Sequence, residues 1–251
     1  MTPAVVGLLA LAGFAAGVID SIAGGGGLVT VPAFLAMGLD PHVAMATNKG
    51  QAAFGALSSF VSHTQRGNVD RARLPLGFAF GFAGSLAGAA AQLLVKPAPL
   101  RPVFLVLLLL AAGFVAWPRK ASTGRPRSWA MKALPGIAFA LGFYDGFFGP
   151  GVGTMLIVVF VLVFGDTMTR ASGNAKVVNL ASNLAALGLF AWRGTVLWQI
   201  ALPMAVANAV GAFLGSRLAV KRGDRFVRGV VLVVVLVVVT KMTWDLLKPG
   251  G

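Results

Sequence analysis

The chain has 251 residues, of which 57% are hydrophobic and 11% are charged, and its formal net charge is +14. Globular domains average about 45–50% apolar and about 25% charged residues, so this composition excludes an ordinary soluble domain. Residues 74–95 and 194–216 contain no charged side chain. Each stretch is long enough to cross a bilayer, which takes about 20 apolar residues. We therefore expect an all-α polytopic membrane protein.

Ten hydrophobic segments follow one another along the chain, and their continuous runs predict helices rather than the alternating strands of a barrel. They comprise residues 4–22, 27–38, 42–64, 74–95, 99–117, 133–147, 152–165, 169–191, 195–218 and 227–247. The N-terminus lacks the positively charged region of a signal peptide, so we expect residue 1 to belong to the mature chain.

Glycine clusters precede the two shortest segments, 27–38 and 152–165, which are too short to span a bilayer. The glycines are Gly24, Gly25, Gly26 and Gly27 in the first cluster, and Gly149, Gly151 and Gly153 in the second. Because no regular helix favours such clusters, they predict half-helices that meet in unwound backbone inside the membrane. The N-terminus of a half-helix carries free N–H groups and a partial positive charge, which would suit an anion.

The second half of the chain repeats the first. GVIDSIAGGGG (17–27) lies 125 positions before GFYDGFFGPGV (142–152). Beyond these motifs the offset is 127, and it aligns Lys49 with Lys176 and Arg101 with Arg228. These matches predict an internal duplication. The expected units are a first transmembrane repeat (1–117), a basic cytoplasmic linker (118–132) and a second transmembrane repeat (133–251), with five hydrophobic segments in each repeat.

The glycine pairs within GSLAG (84–88) and GAFLG (211–215) match each other in this register. Their small-xxx-small spacing is typical of a contact surface between helices, so we interpret them as packing positions.

The basic residues cluster in short loops, which predicts that these loops face the cytoplasm. They are Arg66, Arg71, Arg73, Arg119, Lys120, Arg125, Arg127, Lys132, Lys221, Arg222, Arg225 and Arg228. The basic loop precedes GSLAG in the first half but follows GAFLG in the second, so equivalent helices should run in opposite directions. We therefore expect two inverted-topology repeats and periplasmic termini. No aromatic residues interleave with the basic ones, so we expect no nucleic-acid partner.

Two lysines, Lys49 and Lys176, lie well inside apolar segments, where a charge costs on the order of 3 kcal/mol or more without a partner. Asp20 and Asp145 are the acids at comparable positions. Two interpretations are open at this point. Either the aspartates neutralise the lysines as structural ion pairs, or the lysines attract a substrate while an aspartate takes part in proton coupling.

Polar side chains surround both lysines, and we predict that they contribute to a substrate-binding site. They are Thr47, Asn48 and Gln51 near Lys49, and Ser172, Asn174, Asn179 and Asn183 near Lys176. In the second group, four residues at positions 172, 176, 179 and 183 share one stripe of a helix. A lysine in the middle of such a stripe indicates a wet or ligand-lined face.

Several chemistries are disfavoured by the motifs. The chain has no cysteine, and His42 and His63 have no acidic neighbours at metal-ligand spacing, so we expect no metal site. We also expect no cofactor and no enzymatic activity, since the sequence has no HExxH, GxSxG or Walker motif.

The stretch GFAAGVIDSIAGGGGLVTVPAFLAMGLDPHVAMATNKG resembles the signature of the TauE/SafE sulfite exporter family, and GFYDGFFGPGVGT and NAKVVNLASN resemble its second-half counterpart. The resemblance covers nearly the whole chain. It implies a permease of the bacterial inner membrane that moves small sulfur-containing anions such as sulfite, or organosulfonates such as taurine or sulfoacetate, often outward. The repeat aligns Thr-Asn-Lys in the first half with Asn-Ala-Lys in the second, so the two half-sites should differ chemically.

The expected function is therefore secondary transport of a small anion by alternating access between two repeats in the lipid bilayer. A proton gradient is the simplest driving force, with Asp20 or Asp145 as the proton carrier. A passive anion channel on the same scaffold is the alternative.

Overall fold

The computed structural model describes residues 3–96 and 127–247, together with the single positions 100, 103 and 106. Within this part of the chain there are eight helices and no strand. The helices are α1 (Pro3–Ala23), α2 (Gly27–Ala36), α3 (Pro41–Gln65), α4 (Leu74–Leu94), α5 (Ala130–Phe147), α6 (Val152–Phe164), α7 (Met168–Trp192) and α8 (Trp198–Leu247). The all-helical prediction is confirmed for the described residues.

The helix bounds follow the predicted segments within a few residues. The segments 195–218 and 227–247 correspond to the two parts of α8, which are two helices that meet at a kink where Gly223 (φ 70, ψ −168) leaves the helical backbone conformation. Most of the predicted segment 99–117 and most of the linker lie outside the described residues. The arrangement as two inverted repeats of five segments each stays a prediction.

Among the residues that the structure describes, three helices are long and apolar enough to cross a membrane: Leu74–Leu94, Met168–Trp192 and the first part of α8, Trp198–Gly223. Large apolar side chains also project from the outer faces of several helices. Examples with at least two fifths of their surface exposed are Leu8, Leu11, Leu86, Trp192, Val206 and Leu214. An apolar exterior of this kind suits lipid and marks the chain as a membrane protein.

Glycines bring the outer helices into direct backbone contact in two equivalent places. A Cβ added at Gly84 in α4 would overlap the carbonyl oxygen of Phe139 in α5. A Cβ added at Gly211 in α8 would overlap the carbonyl oxygen of Phe14 in α1. The interpretation of these glycines as packing positions is confirmed. The two contacts occupy matching positions of the sequence repeat.

The two most buried long helices, α3 and α7, run antiparallel at the centre of the bundle. Near the start of α3, the hydroxyl oxygen of Thr47 accepts a hydrogen bond from the N–H of Leu197, just beyond the end of α7 (3.2 Å). Near the start of α7, the amide oxygen of Asn174 accepts one from the N–H of Asp70, beyond the end of α3 (2.7 Å). Both residues of one bond lie 127 positions from their counterparts in the other.

Candidate functional site

The chain unwinds at both glycine clusters. The helix α1 ends at Ala23 and α2 begins at Gly27, while α5 ends at Phe147 and α6 begins at Val152. Gly24 (φ 75) and Gly149 (φ 93) adopt left-handed backbone conformations that side chains other than glycine rarely adopt. The predicted breaks are therefore present.

The two breaks touch each other. A Cβ added at Gly24 would overlap the backbone of Gly153, so neither position has room for a side chain. The hydroxyl of Thr154 donates a hydrogen bond of 2.6 Å to the carbonyl oxygen of Ala23, the last residue of α1. This bond ties the first turn of α6 to the end of α1, and it satisfies a carbonyl group that the break would otherwise leave without a partner.

The first turns of α2 and α6 face a common cavity, since Gly26, Gly27, Gly151 and Val152 all line it. In the described part of the chain, no backbone carbonyl accepts a hydrogen bond from the N–H of Gly27 or Gly151. The N–H of Gly26 makes a long contact of 3.4 Å with the carboxylate of Asp20. Two helix N-termini with free N–H groups thus converge on one small volume.

Two buried ion pairs connect the halves of the chain crosswise. Lys49 Nζ lies 2.6 Å from Asp145 Oδ1, and Lys176 Nζ lies 2.8 Å from Asp20 Oδ2. Three of these side chains are at most 3% exposed, whereas Asp20 is 23% exposed. Each lysine is therefore neutralised by an aspartate of the other half. The structural ion pairs considered from the sequence are present, and attraction of a substrate by the lysines stays a prediction.

Further hydrogen bonds hold the carboxylate of Asp145. Its Oδ2 accepts a short hydrogen bond from Ser182 and a longer one from the amide of Asn179 (3.5 Å). The buried carboxylate of Asp145 thus has three side-chain partners, Lys49, Ser182 and Asn179.

The cavity lies beside these pairs and has a polar lining. The lining residues are Asp20, Gly24, Gly26, Gly27, Asn48, Lys49, Gln51, Ala52, Asp145, Gly149, Gly151, Val152, Asn179, Asn183 and Asn208. Five of them form what we call the amide cluster: Asn48, Gln51, Asn179, Asn183 and Asn208. Their side chains come from α3, α7 and α8, and none is more than 5% exposed.

One part of the amide cluster is linked by a chain of hydrogen bonds. Asn48 Oδ1 accepts from the hydroxyl of Thr30 (2.6 Å) and from Gln51 Nε2 (3.0 Å). Gln51 Oε1 in turn accepts a short hydrogen bond from Asn208 Nδ2. This chain joins α2, α3 and α8, so these side chains cannot reorient independently.

Six predicted site residues lie outside the cavity lining: Thr47, Gly25, Gly153, Ser172, Asn174 and Lys176. Thr47 and Asn174 make the central hydrogen bonds described above. The hydroxyl of Ser172 donates to the carbonyl oxygens of Ser21 and Ile22, at 3.1 and 3.3 Å. Lys176 is fully buried in its pair with Asp20. The structure thus separates the predicted residues into a cavity lining and a supporting framework.

Three lining residues were not predicted: Ala52, Val152 and Asn208. Ala52 and Val152 carry no polar signal. Asn208 does carry one, because it is an amide in the middle of the uncharged stretch 194–216. A polar group at that depth needs a partner or a wet face, so Asn208 could have been singled out.

A second polar network, also not predicted, joins the loop after α3 to the corner between α6 and α7. Arg73 contacts Asp166 at 2.8 Å and Asp70 at 3.1 Å, and Arg170 contacts Asp70 at 3.4 Å. Asn174 Nδ2 donates to Asp166 Oδ2 at 2.7 Å. We call this set the ionic cluster.

The ionic cluster has an apolar counterpart. The residues 127 positions from Arg73, Asp70, Asp166 and Arg170 in the sequence repeat are Ile200, Leu197, Leu39 and Val43. Ile200 and Leu39 belong to one hydrophobic cluster with Phe34 and Met204. The two equivalent corners of the bundle are therefore closed by different chemistry, one by ion pairs and the other by apolar contact.

Broken helices around a polar internal cavity, buried charges and an apolar exterior are the features of a helical membrane protein. The model of the family "Sulfite exporter TauE/SafE" matches residues 9–242. The chain belongs to this family, and it is thus a membrane transporter protein of the TauE/SafE type rather than a member of an enzyme family.

Bacterial relatives agree with this assignment. "Probable membrane transporter protein YfcA" of Escherichia coli (strain K12) is 36% identical over 249 residues, which cover 98% of this chain and 92% of that protein. A "Probable membrane transporter protein" of Haemophilus influenzae is 35% identical over 242 residues, covering 95% of this chain and 94% of that protein. No solved structure shows a significant match.

Proposed function

We propose that the protein is a secondary carrier for a small sulfur-containing anion, such as sulfite or an organosulfonate, in the bacterial inner membrane. The observation that carries this proposal is the convergence of two helix N-termini, Lys49 and the amide cluster on one buried cavity. Free N–H groups, a lysine and amide N–H groups are all donors to an oxyanion. The family description supports the substrate class, because it names sulfite export.

The connections between the halves support a carrier. Both ion pairs, and the contact between Gly24 and Gly153, join residues of the first half to residues of the second. The antiparallel course of α3 and α7, with matching hydrogen bonds at both ends, supports the inverted relation of the repeats. In our proposal one repeat rocks against the other about the cavity, so that the site opens to each side in turn.

The charge balance of the site supports coupling to protons. Two lysines and two aspartates give the unloaded site a formal charge of zero. A monovalent anion brings one negative charge into this buried volume, which is costly without compensation. A proton taken up by an aspartate restores neutrality. We assign that role to Asp20, since it is the more exposed of the two aspartates.

Transport by the purified protein in liposomes tests the proposal. The wild type should take up ³⁵S-sulfite or a labelled sulfonate and show counterflow when unlabelled substrate fills the vesicles. Uptake without counterflow would indicate a passive channel, and absence of uptake for every sulfur anion tried would refute the proposed substrate class.

A variant of the cavity and a control variant outside it test where the substrate binds. Changing Lys49 alone would leave Asp145 buried without its ion-pair partner, so the informative variant is the doubly neutral Lys49→Met with Asp145→Asn. We expect it to fold and to lose transport. Lys132→Met removes an exposed lysine of α5 outside the cavity and should retain transport.

A further inference from the structure

Two corners of the bundle join the halves of the chain at opposite ends of the central helices. The ionic cluster, with Arg73 and Asp166 at its centre, connects the loop after α3 to the start of α7. The hydrophobic cluster that contains Leu39 and Ile200 connects the loop before α3 to the start of α8. We call this second set the apolar cluster. Each corner contains residues from both halves of the chain.

The cavity lies between these two corners. Its lining includes Asn48 and Gln51 of α3 and Asn179 and Asn183 of α7, which occupy the middle parts of the two antiparallel helices. The contacts of both corners are formed in this structure. If one half rocks against the other, the cavity opens towards one membrane face when the corner on that face separates, while the opposite corner stays closed.

Different forces close the two corners. In the ionic cluster, the carboxylate of Asp166 is only 3% exposed and depends on its pairing with Arg73, because a buried charge is costly without a partner. In the apolar cluster, opening would expose the buried side chain of Ile200 to water, which the hydrophobic effect opposes. A change in charge should therefore open one corner, and a polar group among apolar side chains should open the other.

We propose that the ionic cluster is the gate of the substrate pathway on the membrane face where the loop after α3 lies, and that the apolar cluster is the gate on the opposite face. This inference rests on the alternating access of the proposed function and assigns the contacts that open in each state. The basic residues of the loop after α3 place the ionic gate on the cytoplasmic face.

The variant Arg73→Gln tests the ionic gate. It leaves the carboxylate of Asp166 buried without its partner at 2.8 Å, and with Arg170 Nε at 3.9 Å as the remaining ion-pair contact. Opening of the corner hydrates this carboxylate, so the variant should favour the state that is open to the cytoplasm. Adding Asp166→Asn removes the uncompensated charge and should reverse most of the shift.

The reactivity of a thiol in the cavity measures the shift. The chain contains no cysteine, so Ala52→Cys places a single thiol in the cavity lining. Its rate of modification by 2-sulfonatoethyl methanethiosulfonate, which does not cross bilayers, is measured in intact cells and in inside-out vesicles. Arg73→Gln should raise the rate in inside-out vesicles by on the order of tenfold and lower it in intact cells. An uncompensated buried charge costs more than the roughly 1.4 kcal/mol that a factor of ten requires.

The matched control is Ile200→Gln, because position 200 is equivalent to position 73 in the sequence repeat. It places an amide in the apolar cluster and should shift the thiol reactivity in the opposite direction, with faster modification in intact cells. A change that only loosens the bundle would raise the rate from both faces.

A milder variant at the edge of the ionic cluster covers the case in which Arg73→Gln does not fold. Arg170 is 51% exposed and contacts Asp70 at 3.4 Å and Asp166 at 3.9 Å. Arg170→Gln should shift the reactivity in the same direction as Arg73→Gln, by about twofold, since a half-exposed ion pair contributes less than a buried one.

The outcomes separate the gates from the proposed substrate. Opposite shifts by Arg73→Gln and Ile200→Gln support the gates, also if no sulfur anion is transported, and absence of transport then refutes the substrate class alone. Sulfite counterflow by the wild type, with unchanged or equally raised reactivity from both faces in the variants, overturns the gates and leaves the carrier intact. Uptake without counterflow, with a wild-type thiol that reacts equally fast from both faces, indicates a passive channel and overturns both.

Discussion

Arg73 reaches Asp166 with its Nη1 atom 2.8 Å from Oδ2, and this ion pair ties the loop after α3 to the corner before α7. The carboxylate of Asp166 is only 3% exposed and also accepts a hydrogen bond from Asn174. The guanidinium of Arg73 lies 4.6 Å from the centre of the Phe164 ring as well. The pair is therefore the buried centre of the ionic cluster. Its loss should destabilise this corner of the bundle.

The first prediction concerns this corner. Asp166→Ala should lower the free energy of unfolding by about 2–4 kcal/mol, because Arg73 and Asn174 lose a buried partner. Thermal unfolding in detergent measures the effect. Arg193→Ala removes an arginine that no described ion pair uses, and it should change stability by less than about 0.5 kcal/mol. An equal effect of the two variants would contradict the prediction.

The second prediction concerns the buried pair of Lys49 and Asp145. Asp145→Ala should destabilise the protein by about 3–5 kcal/mol, since it leaves a lysine uncompensated in the interior. Combined with Lys49→Met, the same change should cost less, because no charge is then left unpaired. Unfolding midpoints of the two single variants and the double variant form the double-mutant cycle. Additive losses would show that the pair is not coupled.

The third prediction concerns the backbone at the first break. Gly24→Ala should abolish folding or transport, since the residue has a positive φ and an added Cβ would overlap Gly153. Gly38 also has a positive φ, but nothing lies within 4 Å of an added Cβ there. Gly38→Ala should therefore cost only the backbone strain of about 1–2 kcal/mol. Folded yield and transport of the two variants decide whether close contact, rather than strain alone, requires glycine at the break.

The fourth prediction concerns packing between α4 and α5. Gly84→Ala should lower the unfolding midpoint markedly, because the new methyl group overlaps the carbonyl of Phe139 and the helices must separate. Gly136→Ala, on α5, meets nothing within 4 Å and should be neutral or slightly stabilising, since alanine favours the helix by up to about 1 kcal/mol. Comparable losses in both variants would argue against the packing role.

Much of the fold could be predicted from hydropathy and the positions of the glycine clusters alone. The predicted segment 42–64 corresponds to α3 (Pro41–Gln65), and the short segment 27–38 corresponds to α2 (Gly27–Ala36). The breaks were predictable because clustered glycines disfavour a helix wherever they occur. The interruption of α8 also coincides with a glycine, Gly223, although the helix continues on both sides of it.

The partners within the site were less predictable than its members. Buried lysines and aspartates could be recognised from their apolar surroundings, but the crossed pairing depends on how two distant segments pack. The same holds for Asn174, which shares a helical stripe with Lys176 in the sequence yet serves the ionic cluster in the structure. Periodicity identifies the face of a helix, and only the tertiary arrangement shows what that face meets.

The crossed ion pairs make each half of the molecule electrically incomplete. A chain cut between its two halves would yield two fragments, each with one buried lysine and one aspartate whose partners belong to the other fragment. Neither fragment could neutralise its own lysine in the way that the intact chain does.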